Sequence, residues 1–104
     1  MVLTRRMVEI TFSEAMNQAS RIEACADEMS TVARSNLPSI RSDINLAWQG
    51  SSANAYLSKV DLSGNNIQAT ANRLYEIART LRSVARAFRD AELRVIELAE
   101  RRDY

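Results

Sequence analysis

Cys25 is the single thiol in a chain that contains no histidine. A thiol nucleophile needs a neighbouring base or cation to form the thiolate, and the helical run of small residues around Cys25 supplies none. Zinc clusters, histidine-based acid–base pairs and intrachain disulfides are excluded within one chain by the same inventory. The expectation is therefore no enzyme, no cofactor and no metal, with Cys25 as a buried small apolar residue. What remains is recognition chemistry. Its clearest carrier is Trp48-Gln49-Gly50, which uses the only Trp and one of the two Gly in the chain. Gly suits a backbone with positive φ at a helix end. Trp adds a broad apolar ring that can wedge into the angle between two helices.

The elements that must position this tripeptide follow from composition and periodicity. The 104 residues are enough for one domain, and 46% apolar with 26% charged residues describes a globular chain. One Pro and two Gly leave almost no turn-forming material, so few and long helices are expected and β-rich folds are disfavoured. A net charge of +1 is too small for a general polyanion binder. No stretch approaches the roughly 20 apolar residues of a membrane span. No apolar h-region follows Arg5 and Arg6, so a conventional signal peptide is not expected.

Residues 1–10 lack a clear pattern and read as a loose arm, with 11–104 as a single helical domain. Thr11-Phe12-Ser13-Glu14 fits a capping box, which would start a first helix over about 11–47. Ala15, Ala19, Ile22, Ala26, Met29, Ala33, Leu37, Ile40, Ile44 and Ala47 recur at three and four. The stripe keeps its face across Pro38, so a kinked helix is expected there rather than a break. A bend follows at 48–51, and Ser51 or Ser52 can cap a second helix over about 52–100. Leu74, Ile77, Leu81, Val84, Phe88, Ala91, Val95 and Leu98 then alternate strictly by three and four, a coiled-coil type of seam. Helices joined by so short a bend must lie antiparallel. A single hairpin cannot bury both stripes. The expected fold is thus an all-α antiparallel helical hairpin that dimerises into a four-helix bundle, with Ile22, Met29, Ile40, Ile44, Leu74, Ile77, Leu81, Val84 and Val95 in the core or dimer seam.

Total length, the midpoint Trp48-Gln49-Gly50, the small residues Ser51, Ser52, Ala53 and Ala55 after it, and the aromatic Tyr56 together resemble the WXG family. These are small bacterial, early-secreted-antigen-like substrates of the type VII (ESX or Yuk-like) secretion system. The resemblance covers essentially the chain after its first ten residues. Family members carry an export signal of Tyr and an acidic residue four positions apart near the end of the second helix. Phe88 and Glu92 match that spacing with Phe for Tyr, which lacks the phenolic hydroxyl. In the family the bend of one chain and the signal of its partner form a composite signal. The resemblance implies this role for Trp48, Gly50, Phe88 and Glu92. Phe88 also has a plain reading as a core residue of the seam, and Glu92 one as a helix-surface partner of Arg86 or Arg89.

The resemblance implies a secreted protein without a conventional signal peptide, acting as a dimeric export carrier or effector adaptor. Its partners would be an identical or similar WXG chain, a larger type VII effector and the secretion ATPase. The alternative is a cytosolic helical scaffold or regulator, for which the bend is an ordinary corner. A third reading takes Arg79, Arg82, Arg86 and Arg89 as a nucleic-acid or lipid contact. Asp90, Glu92 and Glu97 dilute that stripe, which favours a solvated face or ion pairs to Glu23, Asp27 and Glu28; neither nucleic acid nor membrane insertion is expected.

Overall fold

The computed structural model describes residues 3–102. Helix accounts for 95% of them and no strand occurs among the described residues, as the shortage of Gly and Pro demands. Helix α1 spans Arg5–Thr31, a π-helical turn follows at Val32–Asn36, α2 covers Leu37–Ala47 and α3 covers Ser51–Arg102.

The first helix begins six residues before the expected start at Thr11. Its cap is Thr4, whose Oγ1 accepts from the Met7 N–H at 3.1 Å while its carbonyl accepts from Val8 at 3.0 Å. Residues 5–10 are thus helix rather than arm, because Val8 is fully buried and Arg5 pairs with Glu100 at 3.1 Å. Thr11 lies in mid-helix, and the capping-box pattern there is a false start. At the other junction the cap is Gly50, not Ser51 or Ser52: its carbonyl accepts from Asn54 N–H at 3.0 Å.

Pro38 is accommodated without ending the helical run. The Leu37 N–H bonds to the Val32 carbonyl, one residue further back than in an α-helix. This π turn slips in an extra residue just ahead of a proline that has no N–H to donate. The insertion changes which side chains point inward afterwards. Ile40, which a constant period places inside, is 49% exposed, and the half-buried position passes to Arg41. Arg41 then pairs with Asp61 at 2.7 Å.

The chain divides into two compact units. In the terminal unit, α1 up to Ile22 packs against α3 from Glu76 onward. The segments are antiparallel: Arg5 meets Glu100, the Arg89 guanidinium stacks over the Phe12 ring at 4.2 Å, and Arg82 donates to Ser20 at 3.4 Å. The bend unit, Glu23–Tyr75, is a helical hairpin in itself. There Tyr75 meets Asp27, Gln68 accepts from both Ser30 and Arg34 at 3.1 Å, and Arg41 meets Asp61.

Small side chains line the buried face of both units. Ala19 and Ala26 on α1 and Ala71, Ala78 and Ala85 on α3 are buried, each spaced by a heptad. Alanine lets two helices approach closely, so the inner seam of α3 runs through these positions. Among the described residues only Val8 and Leu57 are larger side chains counted as buried. The seam of large residues expected from periodicity lies beside the alanines. Leu74 and Leu81 are half-buried, sharing both seams, whereas Ile77, Val84, Val95 and Leu98 are between 52% and 59% exposed.

Candidate functional site

The bend is built by backbone first. Trp48 leaves the helix in an extended conformation (φ −140°, ψ 122°) while its N–H still donates to the Ile44 carbonyl at 2.8 Å. Gly50 then takes φ 120°, a conformation that a side chain would strain. Between them Gln49 is exposed. The Trp48 indole does not wedge into the hairpin. It is 45% exposed and lies against the Tyr56 ring, also half in solvent, with centroids 5.9 Å apart and planes tilted by 48°. Such a tilted pair holds a ring in place while leaving one face free. Leu46, two residues earlier, is 81% exposed. The outcome is an aromatic and aliphatic surface at the corner rather than a plug inside it. Tyr56 is visible in the sequence as an aromatic after the bend, but nothing in the spacing alone marks it as the ring partner of Trp48.

Phe88 and Glu92 belong to the terminal unit, one helical turn apart on α3. Phe88 is 38% exposed and, with Phe12, Ala15, Leu81 and Val84, lines a shallow apolar groove of about 230 Å³. Glu92 is half-buried. The ring and the carboxylate therefore sit inside a regular helix. Phe88 continues the exposed row Ile77, Val84, Val95 and Leu98. Of the other seam candidates, Ile22, Met29 and Ile44 are half-buried on the first strand of the pairing and Ile40 faces outward.

The polar residues split into local jobs. Arg89 covers Phe12 and pairs with Asp90 at 3.2 Å. Asp27 is engaged by the Tyr75 hydroxyl, and this hydrogen bond, with burial and the charges of Asp27 and Glu23, raises the Tyr75 pKa above its usual 10.0 against the opposing effect of Arg34. Cys25 is exposed, contrary to the expectation from its small-residue surroundings, because the buried position of that turn belongs to Ala26. Among the described residues no group of three or more acidic or thiol side chains is placed to hold a metal ion, and no helix is long and apolar enough to cross a membrane.

Over residues 7–93 the sequence matches the family WXG100, described as proteins of 100 residues with WXG. The chain belongs to the WXG100 family. No curated protein and no solved structure matches it significantly. The family is associated with type VII secretion substrates, and its members are known to form dimers. The WXG of the family description is Trp48-Gln49-Gly50, and the geometry gives a reason for both fixed residues: Gly50 alone tolerates its backbone, and Trp48 presents a half-exposed ring.

Proposed function

We propose that this WXG100 chain is a non-enzymatic substrate or partner protein of a bacterial type VII secretion system, exported as a folded dimer and serving as carrier or effector adaptor. The observation that carries this reading is the half-exposed Trp48 ring, held against Tyr56 at a corner that only Gly50 permits. The exposure of the ring supports a surface read by another protein, with Leu46 alongside.

Dimerisation, into a four-helix bundle with an identical or a similar WXG chain, is supported by the row Ile77, Val84, Phe88, Val95 and Leu98, which the chain leaves uncovered. Side chains of this size each contribute about 1.5–3 kcal/mol when removed from water, so a companion surface is a strong physical demand. Phe88 and Glu92 supply the ring and carboxylate of the export motif.

Trp48→Ala tests the recognition role. The expected outcome is loss of the protein from the culture medium with helicity and thermal midpoint nearly unchanged, since the ring is only half-buried. Equal loss of helicity and secretion would assign Trp48 to folding instead. The parental protein should appear in the medium only when the type VII ATPase is present.

A further inference from the structure

The stretch from the π turn to the bend contributes no buried side chain of its own, although Ala53 and Leu57 on α3 are buried in the same unit. Three departures from good helix design meet there. Pro38 removes a backbone donor. The π turn ahead of it is a geometry that proteins seldom keep without a role. Gly64, inside the 52-residue α3, weakens the facing helix.

Gly64 is not there to avoid a clash. A methyl group at its Cβ position would meet Leu37 Cδ1 at 3.6 Å and the Ala33 carbonyl at 3.8 Å, ordinary contact distances. Gly64 lines an open cleft of about 530 Å³ together with Ala33, Leu37, Pro38 and Val60. The rim is held by Arg34 to Gln68 and Arg41 to Asp61, and the side chains of the second pair are 42% and 50% exposed. Exposed pairs of this kind contribute little. Both ends of the stretch already depart from α geometry, at the π turn and at the extended Trp48.

We propose that Val32–Ala47 is a strap that releases from α3 as one piece, hinging at the π turn and at the Trp48–Gly50 bend, while the alanine seams of Ala19, Ala26, Ala71, Ala78 and Ala85 stay paired. Release bares Leu57, Val60 and Gly64 on α3. The inference rests on packing and backbone geometry alone and stands apart from the secretion reading.

Native-state hydrogen exchange on the full chain tests it. Amides of residues 33–47 should exchange at a common rate, about tenfold or more faster than those around Ala19–Ala26 and Ala71–Ala85. Gly64→Ala should slow the strap by about two- to fourfold and leave the Ala19–Ala26 amides unchanged, as the added methyl packs against Leu37 and the Ala33 carbonyl. Pro38→Ala should act in the same direction. Protection of 33–47 equal to that of Ala71–Ala85 would overturn the proposal. So would fraying graded outward from the bend, or a Gly64→Ala effect spread evenly over the chain.

Discussion

The two units use the same inner face of α3 and differ on the outer one. Leu57 and Ala71 in the bend unit and Ala78 and Ala85 in the terminal unit fill one buried heptad position, and Ala53 is buried four residues before Leu57. Outside, a single heptad position reads Tyr56, Ser63 and Thr70 in the bend unit, then Ile77, Val84, Ala91 and Leu98 in the terminal unit. Folding the chain on itself needs only the alanine seam, which both units have. In the chain itself the terminal-unit residues Ile77, Val84, Val95 and Leu98 are 52% to 59% exposed, and Leu62 of the bend unit is 60% exposed. The bend unit instead places exposed aromatic side chains at its corner. Under the proposed function, self-assembly would use the terminal stretch of α3 and recognition the bend.

The largest expected effect breaks that division directly. Val84→Asp places a charge in the middle of the aliphatic row while leaving Ala85 and the inner seam untouched. Sedimentation of the parental chain at micromolar concentration should give about 23 kDa, twice its 11.7 kDa mass. The variant should sediment as a monomer, a weakening of about a hundredfold or more, since the row would have to bury an unpaired carboxylate. Thr70→Asp, at the same heptad position in the bend unit, should leave the dimer intact. A dimer lost equally by both changes would erase the distinction between the units.

How much of this was legible in the sequence differs from element to element. The helical class, the corner and the family follow from the scarcity of Gly and Pro together with Trp48-Gln49-Gly50. The buried face within the single chain lies one position along from the row of large residues, because hydrophobic periodicity weights large side chains and the buried positions of α3 at Ala71, Ala78 and Ala85 are alanines. Ile40 is exposed within the single chain for another reason. A period of 3.6 cannot reveal an inserted residue, and Pro38 signals a disturbance without saying that it will be a π turn. The true helix start was hidden because Thr4 caps through its own hydroxyl without the Glu three residues later that completes a capping box. The exposure of Trp48 was beyond any pattern, since it depends on the φ of Gly50 and on the ring of Tyr56.

A smaller effect sharpens the claim that alanine is the inner currency of both units. Ala78→Leu adds bulk where the segments touch most closely, and should destabilise the fold by about 1–3 kcal/mol, read from urea midpoints. The same enlargement at Val84, in Val84→Leu, should leave the chain's own stability within about 0.5 kcal/mol because that side chain is largely outside the pairing. If the two changes were equally damaging, the outer row would be part of the monomer core.

The smallest effect concerns the polar contact that closes the bend unit near its far end. The Tyr75 hydroxyl donates to Asp27, and its pKa is raised above 10.0 first by that bond, then by burial and by the negative charges of Asp27 and Glu23. Raising the folded-state pKa means that the protonated phenol is favoured in the folded chain. Its contribution to stability is therefore fully present below the unfolded pKa near 10 and is lost as pH rises through the higher folded value. Thermal midpoints of the parental chain should hold steady with respect to this group through neutral pH and fall in the strongly alkaline range. Tyr75→Phe should remove that alkaline component while lowering the midpoint slightly at neutral pH, because Asp27 loses a donor but can turn to water. A parental chain and variant with the same alkaline slope would show that the bond does not form in solution.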